Sequence, residues 1–94
     1  MHNIIYTDHL KLRLRIRKIP FYYPETVYRD ADYKFFDNLE KSEIAIKKLK
    51  YKGKLTNMMI AYEIYGKKVR IMTIHPVNDE QILNRINNRR WTKK

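Results

Sequence analysis

The alternation of hydrophobic and polar residues is clearest in residues 58–75, the most apolar stretch of the chain. Two runs rich in Ile, Val, Tyr and Met flank Gly66-Lys67, which predicts a β-hairpin around a short glycine-containing turn. Because Pro76 has no N–H to donate, it is expected to end the second strand. Alternation divides the second run between two faces, with Val69, Ile71, Thr73 and His75 on one and Arg70, Met72 and Ile74 on the other. Both faces carry apolar groups, so we expect the hairpin at the centre of a sheet.

Two further strands are predicted before this hairpin, over residues 33–37 and 42–51. Polar turns separate them from each other and from the hairpin, and the loop lengths are those that hairpins favour. Together the four runs predict an antiparallel meander. Residues 1–6 contain two isoleucines and fit either a short leading strand or an extended segment.

Residues 8–19 carry two conflicting signals. Apolar residues at positions 10, 12, 14 and 16 alternate with basic ones, which is typical of a strand. However, Leu, Lys and Arg are good helix formers, Thr7 is a favourable N-cap, and Pro20 is a stop signal. We therefore predict a helix, in which turns of about 100° per residue would bring His9, Arg13 and Arg17 into one basic stripe.

Two more helices are predicted. Pro24 to Ala31 has Pro at the first helical position and an acid in the first turn. Asn78 and Gln81 have the spacing of a capping box and would begin a helix that runs to about Arg89. The predicted fold class is α+β: an N-terminal helix or helix pair packed on a four-stranded antiparallel sheet, with a C-terminal helix, as a single domain over residues 1–94.

Charge is the most informative feature of the composition. Lys and Arg number 21 against 10 acidic residues, a formal net charge of +11. A positive excess suits a polyanion, most often nucleic acid, although an acidic protein would match the same charge. The chain contains no Cys, which excludes disulfides and favours a cytoplasmic location. Its apolar runs are shorter than the ~20 residues of a membrane helix, so we expect no membrane partner.

Five short motifs occur in order along nearly the whole chain, and their combined spacing resembles a known family. The resemblance is to a prokaryotic domain family of unknown function grouped with the RelE-like and BrnT-like ribonuclease toxins, within the barnase–EndoU–colicin–RelE superfamily. The motifs are His9-x3-Arg13-x3-Arg17-x-Ile19, Phe36-Asp37, Ala61-Tyr62-Glu63, Thr73-Ile74-His75-Pro76 and Arg85-Ile-Asn-x-x-Arg90-Trp91.

The resemblance implies N-terminal helices on a four-stranded antiparallel sheet, with His9, Arg13 and Arg17 on the first helix. It also implies RNA as the substrate, free or on the ribosome, cleavage without a metal or cofactor, and an acidic antitoxin protein as a partner. This chain departs from the family at Arg89, where a Gly usually precedes the closing Arg-Trp. Catalytic residues vary within the superfamily, so the fold transfers more securely than the chemistry.

Metal-free RNA cleavage requires a base for the 2′-hydroxyl proton, an acid for the leaving 5′-oxygen, and cations at the phosphate. Histidine serves both proton transfers near neutral pH, and arginine binds phosphate oxygens. We therefore assign His9, His75 and Arg13 as catalytic candidates. The substrate-binding candidates are Arg17, Arg90 and Tyr62, the last as a hydrogen-bond donor or a stacking surface for a base.

Each candidate also has a purely structural interpretation. His9 would be a surface residue at a helix start, His75 a strand terminator and Tyr62 a half-buried sheet residue. The arginines would be a solvated basic face or ion-pair partners, as for Arg90 near the C-terminus. Other chemistries fit the sequence less well, because its glycines are too few for a phosphate-binding loop and its histidines are too far apart in sequence for a zinc site.

The leading hypothesis is a small, basic, toxin-like ribonuclease that uses His and Arg groups. The alternatives are a non-catalytic nucleic-acid-binding module on the same fold, and a protein-interaction domain that docks an acidic partner. The nuclease hypothesis requires that His75 and the arginines of the first helix lie around one shared hollow.

Overall fold

The structure, a computed structural model, describes residues 3–94 and is α+β. It contains six strands and three helices. In chain order these are β1 (Asn3–Tyr6), α1 (Asp8–Arg17), α2 (Tyr23–Asp30), β2 (Tyr33–Asp37), β3 (Ser42–Tyr51), β4 (Lys54–Tyr65), β5 (Lys68–Pro76), α3 (Asp79–Asn87) and β6 (Trp91–Lys93).

All six strands belong to one sheet in the order β1-β5-β4-β3-β2-β6. Strands β2 to β5 form the predicted antiparallel meander. The prediction of a four-stranded, wholly antiparallel sheet is wrong, because β1 adds to β5 in parallel and β6 adds to β2 in antiparallel orientation. These two edge strands have four and three residues, too few for an alternating pattern to reveal them.

Helix α1 forms despite the period-two pattern of its sequence. The Thr7 side chain accepts a hydrogen bond from the Leu10 amide at 3.1 Å, which caps the helix start. Leu10 and Leu14, four residues apart, are buried against the sheet, and each contributes about 1.5–3 kcal/mol through burial. The alternating Leu12 and Ile16 are instead 48% and 66% exposed, so only half of the alternating positions serve the core.

The two N-terminal helices cover one face of the sheet, which we call the helix-covered face. The sequence predicts either one helix or a helix pair here, and the structure has two helices. The core between helices and sheet consists of apolar and tyrosine side chains. Its most deeply buried members include Leu10, Val27, Met58, Ile60, Val69, Ile71 and Ile74.

The opposite side, which we call the open face, is covered less completely. A second cluster is centred on Phe35, Met59 and Trp91, with the ring centroids of Phe35 and Trp91 stacked at 5.3 Å. Helix α3 lies over this face and begins at the predicted capping box, in which Asn78 and Gln81 exchange hydrogen bonds of 2.8 and 2.9 Å. None of the α3 residues is fully buried, so this helix leaves part of the open face accessible.

A β-bulge in β5 changes which face its last residues occupy. Ala61 pairs with Thr73 and the next residue, Tyr62, pairs with Ile71, so Met72 is the extra residue. Beyond the bulge, Ile74 joins Ile71 on the helix-covered face and His75 lies on the open face. The predicted single face for Val69, Ile71, Thr73 and His75 is therefore wrong, because uninterrupted alternation does not include an inserted residue.

Helix α1 takes over as the neighbour of β5 where β1 ends. The pairing of β1 with β5 stops at Tyr6 and Ile71. Just beyond it, the Thr7 hydroxyl donates to the Met72 carbonyl at 3.3 Å, and the Arg17 guanidinium donates to the Ile74 carbonyl at 3.2 Å. Side chains of α1 thus satisfy carbonyls that an edge strand leaves unpaired, and they hold the helix alongside the end of β5.

Candidate active site

A hollow of about 410 Å³ opens on the open face between β4, β5 and the C-terminal segment. We call it the open-face hollow. Apolar side chains form part of its wall, and charged or polar side chains from five parts of the chain surround them. The residues that line it are His9, Asp37, Glu40, Ser42, Ile44, Met59, Ala61, Glu63, Met72, Thr73, His75, Val77, Arg85, Arg90 and Trp91.

His75 is half-buried at the end of β5, on the open face because of the bulge. Its Nδ1 lies 3.1 Å from the Pro76 carbonyl oxygen. A carbonyl only accepts, so this contact places the ring proton on Nδ1 and leaves the Nε2 lone pair free. The imidazole is thereby held in the tautomer that a general base requires at Nε2.

Burial lowers the pKa of His75 below its ordinary value of 6.5, and the positive charges of Arg17, Arg85 and Arg13 lower it further. The hydrogen bond to the Pro76 carbonyl acts in the opposite direction but is outweighed. Because burial is the largest of these effects and disfavours the imidazolium, the neutral form of His75 is favoured relative to an ordinary histidine. These arginines belong to α1 and α3.

His9 lies at the start of α1, exposed, and lines the same hollow as His75. The Nε of Arg13, one turn along the helix, donates to Nε2 of His9 at 3.2 Å. This nitrogen therefore acts as an acceptor. The predicted basic stripe exists, and its first two members are hydrogen-bonded to each other.

Arg17 lies at the last turn of α1 and reaches the edge of β5, where it donates to Ile74. It does not line the open-face hollow. It lines a neighbouring depression of about 480 Å³ together with Tyr51, Lys52, His75 and Pro76. We call this depression the side hollow. The sequence predicts that His75 and the arginines of α1 surround one hollow. Instead, Arg17 borders a separate hollow, and His75 borders both.

Arg90 enters the open-face hollow from the segment between α3 and β6. Its Nε lies 3.2 and 3.3 Å from the two oxygens of the buried carboxylate of Asp37, which also accepts from the Trp91 indole at 3.2 Å. The Leu39 and Glu40 amides donate to the same carboxylate. Burial raises the pKa of Asp37, but these donors outweigh it, so the pKa lies below 3.8. Arg90 is thus partly committed to a structural ion pair.

Arg85 was not selected as a site residue from the sequence, yet it lines the open-face hollow from α3. Its guanidinium carbon lies 5.5 Å from the centre of the Trp91 ring, a cation–π contact that orients the side chain. The available signal was the closing motif itself, which begins at Arg85 and ends at Trp91. Arg85 lies on the side of α3 that faces Trp91.

Tyr62 lies on the helix-covered face, away from the open-face hollow. Its side chain is 4% exposed and meets Tyr28 edge to face with ring centroids 5.2 Å apart. Burial, with a smaller contribution from Glu43, raises its pKa to about 12. A ring in this position belongs to the core, and we do not include it in the proposed site.

The open-face hollow carries acidic as well as basic groups. Asp37, Glu40 and Glu63 contribute carboxylates, and Asp37 is already paired with Arg90. Within residues 3–94, no ion pair to a carboxylate is found for Arg13, Arg17 or Arg85. Of these three, only Arg85 lines the open-face hollow. Arg13 does not line it and donates to His9, and Arg17 donates to the Ile74 carbonyl beside it.

Comparisons of this chain with protein-family models, with curated proteins and with solved structures give no match. The relationship to RelE-like and BrnT-like toxins therefore stays a prediction. Among residues 3–94, none of the helices has the length and apolar character that crossing a bilayer requires. Over the same residues, no cluster of three or more His, Cys, Asp or Glu side chains is arranged to hold a metal ion.

Proposed function

We propose that this protein is a small, basic, toxin-like ribonuclease that cleaves RNA without a metal ion. The observation that carries the proposal is His75: a neutral imidazole with its proton held on Nδ1 and Nε2 free, in a hollow that His9, Arg85 and Arg90 also line. The net charge of +11 supports a polyanionic substrate. The resemblance to the RelE-like and BrnT-like toxins supports RNA in particular.

In this mechanism His75 is the general base. Its Nε2 takes the proton from a 2′-hydroxyl, and that oxygen attacks the neighbouring phosphorus. The bond between phosphorus and the 5′-oxygen of the next nucleotide breaks, which leaves a 2′,3′-cyclic phosphate on one fragment. A base whose pKa lies below 6.5 is already deprotonated at neutral pH, as this role demands.

His9 is the proposed general acid for the leaving 5′-oxygen. In the absence of substrate its Nε2 accepts from Arg13, and a nitrogen engaged in this way holds no proton to give. A phosphate that draws the Arg13 guanidinium onto its own oxygens frees Nε2 to take up a proton from solvent. Substrate binding would therefore prepare the acid, and the 5′-oxygen then receives that proton as it leaves.

The arginines supply electrostatic stabilisation. Arg85, which lines the open-face hollow, would bind the non-bridging oxygens, whose negative charge increases as the phosphorus becomes five-coordinate. Arg13 does not line the hollow, but it is hydrogen-bonded to His9 at its wall and would join Arg85 there when a phosphate is bound. Both lie close enough to His75 to lower its pKa, so a phosphate beside that ring is within the field of both. Arg90 contributes charge while it remains bound to Asp37.

The test is cleavage of labelled single-stranded RNA by purified protein in the presence of EDTA. We expect products that end in a 2′,3′-cyclic phosphate, and a loss of product with His75→Ala. Lys67→Asn, a substitution in an exposed turn remote from the hollow, is the control and is expected to cleave like the wild type. RNA that stays intact at high concentrations of wild-type protein would overturn the proposal.

The second candidate function is a non-catalytic nucleic-acid-binding module. Two observations favour it: Nε2 of His9 is occupied by Arg13, and the hollow contains carboxylates that repel phosphate. Both candidates predict binding that weakens steeply with salt. Only the nuclease predicts that His9→Ala and His75→Ala reduce product formation far more than they reduce binding. A complete failure to bind RNA and DNA would favour docking to an acidic protein such as an antitoxin.

A further inference from the structure

We propose that the side hollow is a second phosphate subsite, in which Arg17 and Lys52 bind the phosphate next to the one that is cleaved. This inference rests on the proposed function for its substrate, an RNA strand, and extends it by a named site with its own residues. Lys52 belongs to none of the motifs that carry the family resemblance.

His75 connects the two spaces. It lines the open-face hollow on one side and the side hollow on the other. A strand whose scissile phosphate lies at Nε2 of His75 therefore has its adjacent phosphate either within the open-face hollow or in the side hollow. The side hollow is the one that lies immediately past the imidazole and Pro76.

The charges of the two hollows differ. Carboxylates of Asp37, Glu40 and Glu63 line the open-face hollow, whereas the residues that line the side hollow are Arg17, Tyr51, Lys52, His75 and Pro76. Within residues 3–94, neither Arg17 nor Lys52 forms an ion pair with a carboxylate. Two cations that share a depression without an acid repel each other, and a phosphate between them would replace repulsion with attraction.

Both cations are held in place by contacts that leave donors free. Arg17 donates one N–H to the Ile74 carbonyl. A guanidinium has five N–H donors, so four remain. Its own carbonyl accepts from the Tyr51 hydroxyl at 2.9 Å, which ties the end of α1 to the β3–β4 hairpin. The Lys52 ammonium lies 5.3 Å from the centre of the Tyr51 ring, so Tyr51 positions both cations.

The hairpin turn fixes the location of Lys52. Lys52 and Gly53 have φ values of +51° and +80°, the backbone of a tight two-residue turn in which both central residues are left-handed. A lysine is not the residue such a position favours. In this turn Lys52 nevertheless lines the same depression as His75 and Pro76 at the end of β5.

The first experiment measures the salt dependence of binding to a fluorescently labelled single-stranded 2′-deoxy oligonucleotide of about ten nucleotides, which lacks the attacking hydroxyl. Lys52→Asn is the test variant, because Asn tolerates a positive φ and keeps the turn. Lys67→Asn is the matched control, since Lys67 lies in the turn at the opposite end of β4 and its loss changes the net charge equally.

We expect Lys52→Asn to reduce the slope of log affinity against log salt by about 0.7, the value for one lost phosphate contact on a single strand. Lys67→Asn is expected to leave the slope unchanged. Equal slopes for the two variants would overturn the second subsite. This binding result is independent of cleavage, so a protein that binds but never cuts would refute the ribonuclease and not the subsite.

The second experiment uses two RNA substrates. A dinucleotide has only the scissile phosphate, whereas a trinucleotide has an additional one for the side hollow. The trinucleotide used is the sequence that wild-type protein cleaves fastest. Lys52→Asn should raise KM for this trinucleotide and leave cleavage of the dinucleotide unchanged. An equal change for both lengths would indicate general electrostatics and would also overturn the subsite.

Discussion

The two faces of the sheet have different tasks. On the helix-covered face, α1 and α2 enclose a continuous cluster of apolar and tyrosine side chains, including Leu10, Ile60 and Ile71 with no exposed surface. On the open face, α3 contributes no fully buried residue, and buried polar groups such as Asp37 and Ser42 border a hollow. The same strands supply both faces, because successive side chains along a strand point to opposite sides of the sheet.

This difference shows how a small chain combines a packed core with an accessible polar hollow. Apolar burial on one face supplies the free energy that holds the strands in register. The incomplete cover on the other face leaves histidine and arginine side chains accessible, while the hydrogen bonds of Asp37 keep that region ordered. The predictions below separate the two contributions, from the largest expected effect to the smallest.

His75→Ala should reduce RNA cleavage by about 10²–10⁴-fold, the usual contribution of a general base. The side chain is half-buried and its strand position is maintained by backbone pairing, so the free energy of unfolding should change little. Cleavage rates on labelled RNA and urea denaturation measure the two effects. Loss of cleavage together with severe unfolding would contradict a chemical role for this residue.

Ile60→Ala should show the opposite result. Its side chain is fully buried on the helix-covered face, so the free energy of unfolding should fall by about 2–5 kcal/mol, while the folded fraction cleaves at nearly the wild-type rate. Ile64→Ala on the same strand is the control, because Ile64 is 49% exposed and should change stability by less than about 0.5 kcal/mol. Equal costs in urea denaturation would argue against the observed packing.

Asp37→Asn should reduce stability by about 1–3 kcal/mol, because Arg90 and the Trp91 indole lose a charged acceptor. The pKa of Asp37 lies below 3.8 in the folded protein, so its contribution is present above pH 3.8 and is lost as pH falls through the folded-state pKa. Denaturation at a series of acidic pH values should show this loss in wild type and not in the variant. A parallel pH dependence in both proteins would refute it.

Arg89→Gly should stabilise the protein by up to about 1 kcal/mol. Arg89 has a φ of +63° in the turn before β6, and a left-handed conformation costs a residue with a side chain about 1–2 kcal/mol, partly offset by the greater flexibility of glycine. Thermal denaturation measures the gain. A lower melting temperature would show that the exposed Arg89 side chain contributes more than its backbone conformation costs.

Arg17→Gln should change the pH dependence of cleavage. Burial is the main cause of the lowered pKa of His75, and Arg17 is the first charge that adds to it. Removal of that charge raises the pKa, so the acidic limb of the rate profile should move to higher pH. Arg15→Gln, an exposed position on α1 that does not border His75, should leave the limb in place. Equal shifts would mean that only net charge matters.

Much of the fold could be predicted from local signals. Thr7 and the Asn78–Gln81 capping box begin α1 and α3 where the sequence predicts, because a cap is satisfied by residues within one turn. The meander followed from alternation and turns. The edge strands β1 and β6 were not predicted as paired strands, since their partners lie far away in sequence and no local pattern specifies them.

The site was predicted less completely than the fold. Of the candidates on α1 and β5, His9 and His75 line the open-face hollow, and Arg17 borders the side hollow. Arg13 lines neither hollow and is hydrogen-bonded to His9. Tyr62 lies on the helix-covered face, away from the open-face hollow, and Arg85, which the sequence does not single out, lines that hollow. Each difference depends on which face a side chain occupies, and that choice is made by packing between distant elements.

The sequence by itself determined the helices, the central strands, the basic charge and the residue types available for chemistry, because caps, periodicity and composition act over a few neighbouring residues. Only the tertiary structure decided that His75 lies on the open face. The Met72 bulge, next to the Thr7 hydroxyl of α1, shifts the alternation of β5 by one residue and reverses the side chains that follow. An inserted residue of this kind is stabilised by contacts between segments more than sixty residues apart, and no local pattern in the chain reveals it.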